Sequence, residues 1–420
     1  MNYVWLFLVL VAVIIGAISG QIKEVTEAAF DTASSAVEIA LSLIGIMTLW
    51  LGIMKIAEDA GLIKLLARAI RPVSNFLFPS IPKDHPAIGA IVLNLSANWL
   101  GLGNAATPMG IKAMEHLQTL NEKKDTATDA MIMFLALNTA SITLIPMTII
   151  AVRTGLGSGQ PTAIIGTTIF SSVTATITAI TVVKLIQAFS RKRQPAGIAE
   201  DEKRDYSFLL RAGIYAAIFA LLLFVLIRLN VFQFIATYFP GAFFRQAINA
   251  VSIWAIPVLL FLIPLIGIIK KVKIYEVFVD GAKEGFQVAV RIIPFLVAIL
   301  VAIGMFRASG AMELFVMLVS PLTELIGMPA EILPAAIMRP LSGSGALGII
   351  TELLKTHGPD SFIGNLASTL YGCTETTFYV IAVYFGAVQV KNIRYAIPAG
   401  LIADLAGVLA ALFICRQIFL

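Results

Sequence analysis

Apolar residues come in runs long enough to cross a bilayer, parted by short clusters of charge. Such runs read as transmembrane helices. Segments 3–18, 36–54, 130–152, 162–189, 208–227, 251–269, 288–305, 362–385 and 393–413 predict nine spans. The first lacks a basic leader and is followed by further spans, so it is expected to be a membrane helix and not a signal sequence. Two more apolar stretches, 86–120 and 332–354, are interrupted too early on either side to cross twice, and each predicts a re-entrant hairpin. The first breaks at A-N-W-L-G-L-G-N-A-A-T-P, 97–108, and the second at R-P-L-S-G-S-G-A-L-G, 339–348. Pro340 has no backbone donor, and Gly343 and Gly345 disfavour helix, so the chain is expected to open across the second motif. Lipid cannot satisfy the freed amides and carbonyls. Non-helical backbone at membrane depth persists only where protein or a wet cavity surrounds it, which makes the tips candidates for a binding site. N-T-A-S-I-T at 138–143 and T-E-T-T at 374–377 interrupt spans 130–152 and 362–385 in mid-course and predict partly unwound helices.

The polar segments set the direction of the spans. Segment 21–32, with Lys23, Glu24, Glu27 and Asp31, reads as an outer loop, and 55–83 reads as a basic amphipathic helix on the cytoplasmic surface. Segment 312–326 carries Glu313 and Glu324 with no cation and fits the outer surface. The hydrophilic stretch 190–205 is rich in Arg and Lys. It is expected to be a cytoplasmic linker between a first half, 1–189, and a second half, 206–420. Each half then runs through a span, an amphipathic helix, a hairpin, a polar-centred span and a final span. G-I-M-K at 52–55 parallels G-M-F-R at 304–307, and R-P-V at 71–73 parallels S-P-L at 320–322. Charge bias reverses between the halves. The expected fold is therefore an all-α polytopic membrane protein of two inverted repeats, each with a re-entrant helical hairpin and a partly unwound transmembrane helix.

Composition narrows the function. Apolar residues make up 59% of the 420, charged residues 13%, and mean hydropathy is +0.91, values of a membrane protein and not of a soluble domain. The net charge of +5 sits at helix ends, where topology explains it, so no nucleic-acid partner is expected. Cys373 and Cys415 lie far apart in apolar context, and His85, His116 and His357 are scattered, so no metal is expected. Ser344 has no evident histidine base, and the chain is not expected to be an enzyme.

Two groups of motifs carry a resemblance. N-W-L-G-L-G-N-A-A-T-P-M-G-I-K-A-M at 98–114 resembles the spore maturation protein A family. R-P-L-S-G-S-G-A-L-G at 339–348, G-P-D-S-F-I-G at 358–364, T-T-F-Y-V-I-A-V-Y-F-G at 376–386 and G-L-I-A-D-L at 400–405 resemble the spore maturation protein B family. The chain reads as a fusion of the two. Both fall in the nucleoside-recognition, or Gate, family, which implies the architecture of concentrative nucleoside transporters better than it implies a substrate. The spore role of these families implies a link to cortex or envelope assembly. No GTPase motif is present, unlike in the iron transporters that share the family's membrane part.

Arg339 is an intramembrane cation, which costs at least about 2.5–3.5 kcal/mol at the bilayer centre, so it needs a partner. Glu375 is the first candidate, as a structural lock or as the binder of a coupling ion beside a ligand held by Arg339. Candidate solute contacts are Asn98, Asn104 and Thr107 at the first tip, Arg339, Ser342 and Ser344 at the second, and Thr374, Glu375 and Thr376 in the second unwound segment. Candidate ion ligands are Asn94, Ser96, Asn138, Thr139, Ser141, Glu375 and Asp404, because hard cations are bound by side-chain oxygens and freed carbonyls. Any one of the Asn and Ser residues can equally cap a broken helix.

The expected activity is ion-coupled secondary transport of a small polar or anionic solute, nucleoside-like on the family's account. The rival is a non-transporting membrane factor that recruits or regulates envelope-building enzymes. No cofactor is expected beyond coupling sodium or protons. Partners are the solute and membrane lipid, with homo-oligomers left open, and the location is the bacterial inner membrane. The charge pattern places the N-terminus inside and the C-terminus outside. A cysteine introduced at Ala199 should label from the cytoplasm and one at Gly157 from the outside; the opposite result at either position would remove the inverted-repeat reading.

Overall fold

The computed structural model describes residues 2–82, 84–100, 103–191 and 241–420. The expected span 208–227 and the linker beyond Arg191 lie outside the described residues. Helices α1 (Asn2–Ser19) and α2 (Ile22–Asp59) are joined at Gly20, whose φ of 77° is the left-handed conformation that glycine adopts without strain. Segment 21–32 is therefore not a loop. It forms the opening turns of α2, because nothing from Ile22 to Asp59 breaks a helix, and Lys23 and Glu27 face each other one turn apart at 3.6 Å.

The first half continues with α3 (Leu62–Leu77), α4 (Pro86–Trp99), α5 (Gly103–Thr119), α6 (Asp129–Thr139), α7 (Met147–Gly155) and α8 (Ile165–Arg191). Among the described residues from 241 onward, α9 (Gly241–Ile269) and α10 (Ile274–Ala308) come first. The second half then gives α11 (Ala311–Glu324), α12 (Leu333–Leu341), α13 (Gly343–His357), α14 (Phe362–Cys373), α15 (Thr377–Ala387) and α16 (Ala396–Phe419). Among the described residues α2, α8, α9, α10 and α16 are long and apolar enough to cross a membrane singly. Hairpins α4–α5 and α12–α13 and broken helices α6/α7 and α14/α15 stand where the apolar pattern was interrupted.

The frame is the antiparallel pair α2 and α10. A Cβ on Gly285 would lie 2.5 Å from the Met47 carbonyl oxygen, and one on Gly281 2.5 Å from that of Leu51. A Cβ on Gly304 would strike Thr32. Small residues four apart let the two backbones touch where lipid supplies no hydrophobic drive between helices. From Thr32 to Gly52 the contact follows α2 for roughly 30 Å at 1.5 Å per residue, about the thickness of the hydrocarbon core.

Both frame helices end in the same way. The Ala60 and Gly61 amides bond to Ile56 and Glu58, and the Ser309 and Gly310 amides to Met305 and Arg307. Gly61 and Gly310 have φ of 80° and 82° and turn the chain into α3 and α11. Because the frame helices are antiparallel, α3 and α11 lie at opposite ends of the pair. This register agrees with the parallel of 71–73 to 320–322 but moves that of 52–55 to 304–307 by three residues, nearly one turn. A glycine and a cation three apart recur too easily along a helix to fix a register.

The second hairpin also differs from expectation. Only Ser342 leaves the helical conformation, with φ −156° and ψ 117°, and its hydroxyl caps α13 by accepting from the Gly345 amide at 3.1 Å. The glycines of 339–348 do not open the chain; they let it approach its neighbours. A Cβ on Gly348 would strike Ile299, and one on Gly343 would meet the Thr376 hydroxyl at 2.9 Å. Gly285→Ala should lower stability by about 1–3 kcal/mol through overpacking. Gly45→Ala, with open space around the new methyl, should be neutral or stabilising. Thermal unfolding of the two purified variants checks the contrast.

Candidate functional site

Thr128 caps α6 by accepting from the Met131 amide, and Ser361 caps α14 by accepting from that of Gly364. Each helix then fails in mid-course, α6 at Ala140 and α14 at Thr374. The two breaks meet, since the Glu375 amide donates to the Thr139 carbonyl at 2.7 Å. Other freed groups are also answered by protein. The Thr176 hydroxyl donates to the Ala140 carbonyl, the Leu144 amide to the Trp99 carbonyl at the first hairpin tip, and Arg339 to the Thr374 carbonyl.

The broken helices run in opposite directions and are clipped to each other at both ends. At one end Arg153, in the last turn of α7, is fully buried and reaches Asp360 at 2.9 Å, with further bonds to the Pro359 and Gln160 carbonyls and Ser368. Burial pushes the Asp360 carboxyl up, but donation from Ser158 and the Gly159 amide, with the Arg153 charge, outweighs it and holds the group below its ordinary value. Its stabilising effect is thus complete above that ordinary value and is lost only as pH falls through the lower folded one. At the other end Arg394, just beyond α15, reaches Asp129 of α6 at 2.7 Å, and the Tyr395 hydroxyl donates to the same carboxylate at 3.0 Å. None of these four residues was singled out from the sequence as a pair. Pairing across more than two hundred residues leaves no local pattern.

Arg339 lies in the last turn of α12 with its side chain only 5% exposed. It donates to the Thr374 carbonyl and, at 3.4 Å, to the Thr376 hydroxyl, and its guanidinium lies 4.6 Å from the centre of the Tyr371 ring. Glu375 is 3.7 Å away and half-exposed, so the pair expected from the sequence exists but is loose. The main partner of Arg339 is the open backbone of the second break. Glu375 turns instead into a cavity of about 250 Å³, space for roughly eight waters, whose wall also includes Asn98, Arg339, Lys55, Glu58 and Glu284. Lys55 is already paired with Glu58 at 3.0 Å. Lys55 and Glu58 fell outside the predicted site because they lie in the last turns of α2, where charge normally faces water, and Glu284 because it precedes the predicted span 288–305.

The neutral oxygens form a second group. Asn138 accepts from Asn98 at 2.9 Å and from the Tyr384 hydroxyl at 3.2 Å, and Asn94 donates to Tyr384 at 3.1 Å. Tyr384 of α15 therefore ties the first hairpin to α6. Gly110 leaves room for it, since a Cβ there would strike the phenol oxygen. Ser96 bonds back to the Val92 carbonyl within α4. Buried and without a hydrogen bond are Asn94 Oδ1, Thr139 Oγ1, Ser141 Oγ and Asp404 Oδ1. The other Asp404 oxygen accepts from Thr377 at 2.5 Å. Ser342 and Ser344 are 3.4 Å apart at the second tip. Thr107 is half-buried in α5, and the side chain of Asn104 lies outside the described residues. Of the predicted solute contacts, Asn98, Arg339 and Glu375 thus share one cavity, with Thr374 and Thr376 behind Arg339.

Fold and site define a multi-pass helical membrane protein whose centre is two hairpins and two broken helices clasped head to tail. Within that class, the nucleoside recognition (Gate) family profile matches residues 40–156 and 289–391, more than half of the chain, and the chain belongs to this family. The matched parts contain both hairpins and both breaks. Spore maturation protein B of Bacillus subtilis (strain 168) is 50% identical over 174 residues, 41% of this chain and 98% of its own length. Spore maturation protein A of the same organism is 46% identical over 179 residues, 43% of this chain and 91% of its own length. Near-complete counterparts of two proteins in one chain are consistent with a fusion. Among solved structures, CNTnw in an inward-facing substrate-bound state aligns over 98% of this chain and 89% of its own, with a TM-score of 0.43 and 14% identity. A doubly substituted CNTnw in an outward-facing state aligns over 97% of this chain and 89% of its own, at 0.42 and 14%. Such a likeness is too distant to carry a mechanism across.

Replacing Arg339 by Met strands the Thr374 carbonyl in the interior, so it should cost about 1–3 kcal/mol. Glu375→Gln at its half-exposed position should cost less than about 1 kcal/mol, and the double variant should recover little. Recovery of most of the loss in the double variant, read from thermal unfolding of all four proteins, would instead mark a closed ion-pair lock.

Proposed function

We propose that the chain is a secondary transporter that carries a small polar solute through the cavity beside the two breaks, driven by an ion gradient. The observation that bears this reading is the position of Glu375: its amide holds the crossing of the breaks while its carboxylate faces the cavity. A solute that engages the carboxylate therefore acts on the joint between the two halves. The antiparallel frame and the opposed broken helices support two inverted repeats, the arrangement in which one repeat rocks against the other around a fixed site.

Charge favours a solute rich in hydrogen-bond donors over an anion. Arg339 is engaged by Thr374 and Thr376, and Lys55 by Glu58, while the Glu375 carboxylate, only loosely paired with Arg339, and Glu284 line the cavity. The family's description makes nucleosides the first candidates, since their hydroxyls and amino groups are donors. Coupling falls to sodium or a proton at the unbonded oxygens of Asn94, Thr139, Ser141 and Asp404. The names of the two Bacillus relatives make spore maturation the process that transport would serve, and the membrane is read as the inner one.

A non-transporting membrane factor is the second reading, and the engagement of Arg339 by backbone favours it, because a static lock needs the same contacts. Liposomes separate the two. Purified protein should take up labelled uridine or adenosine under an inward sodium or proton gradient, and Glu375→Gln should abolish uptake while keeping its melting temperature. No gradient-dependent flux of any nucleoside tested would favour the membrane factor, and normal uptake by Glu375→Gln would remove Glu375 from the site.

A further inference from the structure

Helix α3 presents three distinct stripes. Ile63, Ile70 and Leu77, seven apart, are buried against the protein, whereas Leu65, Val73 and Phe76 are 56%, 53% and 73% exposed. Lys64 and Arg68, one turn apart, are exposed. Among the described residues neither cation forms an ion pair. Like charges at this spacing repel on a helix, so the arrangement gains from an anion between them.

The two cations line a cavity of about 390 Å³ between α3 and the start of α4, together with Asp84, His85, Pro86 and Gly89. The His85 Nδ1 accepts from the Ala87 amide at 3.2 Å, which leaves Nε2 as the ring nitrogen able to donate. With Lys64 and Arg68 positive and Asp84 negative, the cavity carries one net positive charge. One charge matches a phosphodiester, whose single negative charge is fixed, better than free phosphate, which near neutral pH is a mixture of mono- and dianion. The exposed apolar stripe alongside is where acyl chains would lie. Helix α11, in the corresponding place of the second half, carries Glu313 and Glu324 instead, so the site exists at one end of the frame only.

We propose that the cavity between α3 and α4 is a headgroup site for a singly charged anionic phospholipid such as phosphatidylglycerol. It holds α3, and through α3 the first hairpin, to one leaflet. Such a contact fixes one half of the molecule relative to the membrane and leaves the other half to move.

Full-length protein reconstituted in phosphatidylcholine vesicles with a trace of spin-labelled phosphatidylglycerol tests this through the fraction of label immobilised by the protein. Lys64→Gln/Arg68→Gln, at exposed positions, should keep its melting temperature and lose roughly thirtyfold in preference for the labelled lipid, the effect of two cations at a membrane surface. Asp84→Asn should move the preference the other way. Equal lipid selectivity in wild type and double variant would overturn the proposal. Displacement of the label by millimolar inorganic phosphate would do so too, because the site would then be one for free phosphate.

Discussion

A main-chain amide or carbonyl released inside a bilayer has no water to bond, so every break in a membrane helix must be answered by another part of the protein. That constraint organises this chain. Among the described residues two helices are broken, and the break in each is satisfied through the other, through a hairpin or through α8. The Glu375 amide meets the Thr139 carbonyl, the Leu144 amide meets the Trp99 carbonyl, and Arg339 meets the Thr374 carbonyl. The hairpins are thus the supports without which the breaks would be too costly, and the cavity is the space that remains where they converge.

Supports of this kind work only if the broken helices stay in register. Arg153 with Asp360 and Arg394 with Asp129 pin them at opposite ends, and the difference between the clips is physical. Arg153 is fully buried and reaches several carbonyls as well as Asp360, whereas Arg394 and Asp129 are each about one-third exposed. Asp360 is itself nearly half exposed, so the contrast rests on Arg153: separating it from its partners strands a buried charge, and separating the part-exposed Arg394 strands little. The Arg394 end is therefore the easier to open. Around this centre the glycine-lined contact of α2 with α10 supplies a stiff frame, and a similar tie of Arg307 to Glu352 at 2.6 Å fixes the second hairpin to it.

The polar residues at the centre divide into those already bonded and those still open. Asn98, Asn138 and Tyr384 satisfy one another, and Ser96 and Ser342 serve their own helices, as short polar side chains commonly do. Glu375, Asp404 and the hydroxyls of Thr139 and Ser141 keep unused acceptors at or beside the breaks. Buried acceptors without donors are costly, and they mark the places where a bound cation or proton would be most strongly felt.

Much of this was legible in the order of residues. Apolar run length sets where helices cross, and Pro, Gly and polar clusters set where they stop, because these are local properties of a backbone that must bond within itself in lipid. The hairpins, the two breaks and the repeated order of elements followed from that alone, as did the candidacy of Arg339 and Glu375. Segment 21–32 was misread because charge on a helix that extends beyond the membrane looks like charge in a loop. The glycines of 339–348 were misread because glycine for flexibility and glycine for close approach are written alike. Only the tertiary structure decided that Arg339 bonds to backbone in preference to Glu375, and that Lys55 and Glu284 share its cavity. It also decided that Arg153 and Arg394 are paired across the molecule. Those contacts join residues tens to hundreds of positions apart, and a pairing of that range depends on how helices cross and not on the local sequence at either end.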